Sequence, residues 1–186
     1  MKRRVLFKVD QNRVLVPVGE PCPFGCRCCY TRGGEVGLTR VEAEDILLPL
    51  QEFARHTPFE TIQFGYDGDP FARPEPGLAM LSQLATLGKH VNFSTKALLE
   101  GPTIAALRGL CRTMEARGTT LSAPVSFSCW ESAPAVEPHT PSPSERMRTV
   151  ANLTGVGIPV FIAMRPILPH LPDTEYERIK GSEPDD

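Results

Sequence analysis

Residues 22–30 read Cys-Pro-Phe-Gly-Cys-Arg-Cys-Cys-Tyr, which sets Cys22, Cys26 and Cys29 at the spacing C-x3-C-x2-C. No other feature constrains this chain as strongly. Four of its six cysteines lie between Cys22 and Cys29. Cysteines that close together bridge poorly, so the pattern points away from a disulfide framework and towards metal. Three thiolates on one tight loop can hold three irons of a cubane iron–sulfur cluster, where four would close every iron. An iron left open can chelate a small molecule and pass it an electron, much as a catalytic zinc keeps an open position. Two other readings stand beside this one. One is a structural zinc held by four cysteines including Cys28, although such sites usually come as two separated pairs. The other is a set of ordinary thiols.

The rest of the chain alternates strand-like and helix-like segments. Val14–Val18 is a β-branched run leading straight into the cysteine loop. Thr39 with Glu42 fits a capping box for a helix that Pro49 ends or kinks and Phe53 continues. Thr61–Gly65 reads as a strand. Leu78–Leu87 reads as a helix, with Gly88 as its stop. His90–Ser94 is strand-like, and Pro102–Arg117 is helical with Gly118 past its end. Val125–Cys129 is a further strand, followed by a Pro/Ser-rich loop from Ser132 to Pro143. Ser144 caps a helix running through Leu153, and Pro159–Met164 is the last strand. Strands recurring about every thirty residues between helices imply right-handed parallel β/α units. The expected fold is α/β, with five strands and about five helices, the last one short. Residues 1–12 are a lead-in, 13–180 the core and 181–186 an acidic tail.

Composition narrows the function little. The 186 residues carry a net charge of −2, with 41% hydrophobic and 23% charged residues, as ordinary globular proteins do. That balance gives no broad attraction to nucleic acid or membrane, and Lys2, Arg3 and Arg4 read as a solubilising patch. No apolar run reaches membrane-spanning length, and the start is too quickly charged for a signal peptide. The expected compartment is the cytoplasm.

Parallel β/α units bind ligands at the carboxyl ends of their strands. The cysteine loop follows the first strand there. Gly65, Asp67, Gly68 and Asp69 follow the second. Ser94 and Lys96 end the third, Ser126 and Ser128 lie on the fourth, and Arg165 ends the fifth. Glycines let the backbone approach a ligand, and a carboxylate can take an ammonium charge, although an Asp-Gly turn needs no ligand. A buried Lys96 should meet an anion. Ser126 and Ser128 should share one face by strand alternation. Arg165 suits a carboxylate, a phosphate or a structural acid. Cys111 and Cys129 read as core residues, with Cys129 also placed where it could donate a hydrogen atom. His56, His90, His139 and His170 show no metal spacing.

With these residues in view, the chain resembles the radical S-adenosylmethionine superfamily, closest to its spore photoproduct lyase-like branch. The resemblance runs from about Val14 to Tyr176. It is carried by the loop Cys22–Tyr30, by Asp69-Pro70-Phe71-Ala72-Arg73-Pro74-Glu75 and by Ser94-Thr95-Lys96. Glu137-Pro138, Pro141-Ser142-Pro143-Ser144-Glu145-Arg146, Gly157-Ile158-Pro159-Val160 and Pro166-Ile167-Leu168-Pro169 complete it. It implies a partial parallel β/α barrel, with five of six strands, and a 4Fe-4S cluster on Cys22, Cys26 and Cys29. It further implies reductive cleavage of S-adenosylmethionine to a 5′-deoxyadenosyl radical that takes a hydrogen atom from a substrate.

The cofactor would contact Tyr30, Gly65, Asp67, Gly68, Asp69, Ser94, Lys96, Ser126, Ser128 and Arg165. Lys96 is a candidate for the methionine carboxylate. The implied partners are an electron donor such as flavodoxin or ferredoxin, and a substrate of unknown class, nucleic acid being one option. Two positions depart from the family pattern. Cys28 stands where an aromatic residue is common, which keeps a Cys26-x-Cys28 ligand pair in play, although Cys28 reads as a non-ligand turned into the barrel or its wall. The sixth strand is also absent, which admits an inactive fragment as a third functional class beside the enzyme and the zinc module.

Overall fold

A computed structural model describes residues 6–31 and 43–182 of the chain. The capping box expected at Thr39 and Glu42, the basic start at Lys2–Arg4 and the tail Glu183–Asp186 lie outside the described residues. The strands are β1 (Lys8–Asp10), β2 (Arg13–Val16), β3 (Thr61–Phe64), β4 (His90–Phe93), β5 (Leu121–Phe127) and β6 (Val160–Met164). The helices are α1 (Ala43–His56), α2 (Pro74–Leu84), α3 (Gly101–Glu115), the single turn α4 (Ala133–Val136), α5 (Pro143–Gly155) and α6 (Thr174–Gly181).

The six strands form one sheet in chain order, β1-β2-β3-β4-β5-β6. From β2 to β6 all neighbours are parallel, as the recurring β/α pattern predicts. β1 is the exception, pairing antiparallel with β2 as Lys8↔Leu15, Val9↔Val14 and Asp10↔Arg13. The sheet is open, with β1 and β6 at its edges. The sheet therefore begins at Lys8. Gln11 at φ 53 makes the tight turn of this hairpin.

Strand alternation decides which face is buried. Val14, Val16, Ile62, Phe64, Val91, Phe93, Leu121, Ala123, Val125 and Phe127 point to one side and are buried there. They form one core with Ile46 and Leu50 of α1, Leu81 and Leu84 of α2, Leu107 and Met114 of α3, and Leu153 of α5. Each Val, Leu, Ile, Phe or Met side chain among them stabilises the fold by about 1.5–3 kcal/mol. The opposite face carries Gln63, Asn92, Ser94, Ser122, Pro124 and Phe161, which line a trough of about 790 Å³. Asn92 Nδ2 donates to Ser122 Oγ across the β4–β5 seam at 3.1 Å.

Several element limits differ from the sequence reading. Pro49 neither ends nor breaks α1, because it sits on the exposed face while Ile46, Leu47 and Leu50 anchor the buried one. α2 starts at Pro74, a residue whose missing N–H costs nothing in a first turn. α5 is capped by Ser142, whose hydroxyl accepts from the Glu145 N–H while the Glu145 carboxylate accepts from the Ser142 N–H. Ser144 is inside the helix. β5 starts at Leu121, and Pro124 lies within it. The β4–β5 ladder pairs Asn92 with Ser122 and resumes only at Thr95 with Val125. Pro124 occupies that gap, where it has no N–H to give to β4, and its carbonyl accepts from the Thr95 N–H at 3.0 Å.

α6 is fastened by one carboxylate. Glu175 accepts from the backbone N–H groups of Trp130 (2.6 Å), Glu131 (2.7 Å) and Ser132 (3.0 Å), and from the Ser132 hydroxyl. No described helix is long and apolar enough to cross a membrane.

Candidate functional site

The loop after β2 turns at Gly25, with φ 64, and plugs the core with Phe24. Its main chain is tied to the segment after β5. Arg27 N–H donates to the Val136 carbonyl at 2.7 Å, and His139 N–H donates to the Phe24 carbonyl at 3.3 Å. Within the loop, Cys29 N–H donates to the Cys26 carbonyl at 3.2 Å. All four loop cysteines are free thiols and half-buried.

Burial pushes the Cys22 thiol up, and the nearby Asp69 and Cys29 push the same way. Burial also drives Cys26 up to about 11, against the pull of Lys96 and with the push of Glu137, Cys28 and Cys22. The loop thiols thus act on one another. Cys28 Sγ donates to Ser128 Oγ at 3.6 Å, which turns it towards the end of β5. Cys29 Sγ lies 3.0 Å from Thr31 Oγ1.

Among the described residues, no three His, Cys, Asp or Glu side chains converge on one ion position. Thiols that each take a different iron of a cubane need no common point. The soft, all-sulfur donor set of this tethered loop has the chemistry that an iron–sulfur cluster or a zinc ion takes. Binding of either must displace thiol protons.

The loop after β3 is built from the inside. Gly65 has φ 87, and a Cβ there would come within 2.6 Å of Pro70 Cδ. Gly77 of α2 packs so closely on this loop that a Cβ would lie 2.0 Å from the Pro70 carbonyl oxygen. Gly68 has room for a Cβ, with its nearest neighbours at 3.5 Å. Asp67 is buried and accepts from the Val18 N–H at 2.7 Å, joining this loop to the approach of the cysteine loop. Asp69 is buried and accepts from Phe71 N–H (2.9 Å), Thr95 Oγ1–H (2.9 Å) and Lys96 N–H (2.5 Å). Burial pushes its carboxyl up against the pull of these donors. Both carboxylates thus serve the fold by fixing the ends of β2, β3 and β4 relative to one another.

Lys96 has an anion inside the protein, and it is Glu137. Its Nζ donates to Ser128 Oγ at 2.9 Å and to Glu137 Oε1. Glu137 is 1% exposed, and its Oε2 lies 2.7 Å from Arg146 NH2. Arg146 is wholly buried, donates from NH1 to the Ser126 carbonyl at 2.8 Å and stands over the Phe127 ring at 4.9 Å. Burial alone would raise the Glu137 carboxyl. The charges of Arg146 and Lys96 and the Ser128 hydroxyl outweigh it and hold the group below the usual carboxylate range.

Ser128 and Ser126 do not share one environment as alternation predicts. β5 ends at Phe127, so Ser128 is drawn into this buried network while Ser126 stays half-buried on the strand. Ser94 lines the trough, and Arg165 lies exposed at its rim. Tyr30 is 77% exposed. Cys129 is fully buried, and burial with the nearby Glu137 and Glu175 pushes its thiol up to about 12.

Sequence reasoning missed Glu137 and Arg146 as site residues. Both stood inside quoted segments, but a contact between a loop carboxylate, a strand-end lysine and a helix arginine leaves no spacing signal. No protein-family model matches the chain, and no curated protein aligns significantly with it.

Proposed function

We propose that the protein is an iron–sulfur enzyme of the radical S-adenosylmethionine type, and that its open sheet is a partial barrel of that type. The observation that carries this reading is the C-x3-C-x2-C loop at the carboxyl end of the first parallel strand, tethered at Phe24 and Arg27. Two further features support it. The helices cover one face of the sheet and leave a polar trough on the other. Lys96 reaches the same edge, 16% exposed and next to Cys26 in electrostatic effect.

In this reading Cys22, Cys26 and Cys29 hold the cluster and Cys28 stays with Ser128. A cluster held there would pass on an electron from an external donor such as flavodoxin or ferredoxin, the chemistry needed for reductive cleavage of S-adenosylmethionine to methionine and a 5′-deoxyadenosyl radical. The chain's own part is binding and orientation. Lys96, two of whose ammonium donors are held by Glu137 and Ser128, would have one left for the cofactor carboxylate, while Ser94 and Ser126 offer hydroxyls along the strand ends and Arg165 offers a further cation at the rim. The net charge gives little support to duplex nucleic acid as the substrate.

The test is anaerobic reconstitution followed by iron and sulfide analysis, paramagnetic resonance with added S-adenosylmethionine, and chromatography for 5′-deoxyadenosine. Cys22→Ala, Cys26→Ala and Cys29→Ala should each abolish cluster binding, and Cys28→Ala should retain it. A colourless, zinc-loaded protein would replace the reading by the zinc module. A cluster-loaded protein that binds the cofactor yet forms no 5′-deoxyadenosine would make it an inactive relative.

A further inference from the structure

Glu137 belongs to no strand or helix, yet it is among the most buried charged groups described. Its carboxylate reaches three separate parts of the fold: Lys96 beyond β4, Ser128 beyond β5 and Arg146 on α5. Its backbone lies in the segment that holds the cysteine loop. The neighbouring Val136 carbonyl takes the Arg27 N–H, and His139, two residues on, gives its N–H to Phe24. The segment is itself stiff. Glu137 N–H donates to the Ala133 carbonyl at 2.7 Å, and the Glu137 carbonyl accepts from both the N–H and the hydroxyl of Thr140. A hold on the Glu137 side chain is therefore a hold on the cysteine loop.

We infer that Glu137 is a positioning residue, the joint through which Lys96 and the cysteine loop are fixed relative to each other. One oxygen aims the Lys96 ammonium, and the other is anchored by the buried Arg146. Arg146 is the more shielded anchor, wholly buried while Lys96 is 16% exposed; its NH2 holds Oε2 by charge at 2.7 Å, without the alignment of a hydrogen bond. A buried charge stripped of its partner is heavily penalised, so Arg146 keeps Glu137 in place even without Lys96. The inference deepens the proposed function in that this loop is the one read as holding iron, but the joint itself exists in the metal-free chain.

The experiment is amide hydrogen exchange on the full-length, metal-free protein, followed by mass spectrometry of peptides covering residues 22–31 and 133–141. Loop opening sets the exchange rate there, independently of the core. Glu137→Gln should speed exchange in both peptides at least about tenfold, the scale of one charge-assisted hydrogen bond. Peptides from β3, β4 and α3 should keep their rates. Glu137→Asp keeps the charge but withdraws it by one methylene, and should give a smaller acceleration confined to the same two peptides. Lys96→Met leaves the Arg146 anchor and should change loop exchange by less than about threefold.

A Glu137→Gln protein with unchanged loop exchange would overturn the inference. So would a Lys96→Met protein as loose as Glu137→Gln, which would make Lys96 the anchor. If both Glu137 variants lose their cooperative melt, the residue is general scaffolding and the inference is lost. Iron content after reconstitution, measured on the same proteins, separates the two questions. Loop loosening in variants of a wild type that takes up no iron keeps the joint and ends the enzyme reading.

Discussion

Replacing Glu175 by glutamine should loosen α6 from the turn after β5. Oε2 of the carboxylate takes the Trp130 and Glu131 N–H groups, and Oε1 takes the N–H and hydroxyl of Ser132. Glutamine keeps one oxygen and loses the charge: with its NH2 towards Ser132 the hydroxyl can turn to accept, but the Ser132 N–H is left facing an NH2 group, and the Trp130 and Glu131 bonds fall to neutral strength. Each hydrogen bond to a charged group is worth about 1.5–3 kcal/mol, which puts the direct loss at about 3–6 kcal/mol. Local release of the short helix limits what the whole fold loses, so the expected cost is about 2–4 kcal/mol. For a chain of this size that lowers Tm by roughly 4–16 °C.

The pH dependence carries a sign. Burial pushes the Glu175 carboxyl up, but the bonds from Ser132, Trp130 and Glu131 prevail and hold it below the usual range. The folded value thus lies below the unfolded one of about 4.3. Its stabilisation is full above that value and is lost as pH falls through the folded value. The gap between wild type and Glu175→Gln should be widest near neutral pH and close in acid. Thermal melts across pH 3–7 read it, with Trp130, the sole tryptophan, reporting the turn by fluorescence. A melt within about 1 °C of wild type at neutral pH, or a deficit equally large at acid pH, would refute the reasoning.

Two further outcomes follow from packing. Gly77→Ala drives a Cβ into the Pro70 backbone and should cost about 2 kcal/mol or more by urea unfolding, while Gly68→Ala, with open neighbours, should stay within about 1 kcal/mol. Cys129, fully buried with its thiol pushed up to about 12, should resist maleimide at pH 8 in the native protein and react once the protein is denatured, as mass spectrometry would show.

The parallel frame was legible because its signals are local. Val14–Val16 is a short apolar run, Ile62-Gln63-Phe64 and Val91-Asn92-Phe93 alternate apolar and polar, and Gly88 and Gly118 stop their helices with φ 65 and φ 74. β1 was not legible, because Lys8-Val9-Asp10 is too short to show a period. The start of β5 was hidden by Pro124, whose tolerance depends on a gap in a neighbouring ladder. The cysteine loop stood out because its spacing carries the chemistry. The partner of Lys96 did not, because Glu137 lies far along the chain and only the assembled fold brings the two together. The same holds for Asp69, where the sequence showed a turn carboxylate but not the Thr95 and Lys96 donors that occupy it.

Because strand order follows chain order, each new strand docks beside the one synthesised before it. A chain leaving the ribosome can therefore lay down its sheet from one side to the other, with no strand waiting for a distant neighbour. The cysteine loop breaks that rule. It emerges directly after β2, but its tethers at Val136 and His139 arrive only once β5 has been made. In between, only the segment after β3, which shares a cleft with Cys22, lies against the loop. The topology thus opens an interval during synthesis in which the loop lacks these tethers, and ends it when the second half of the chain docks.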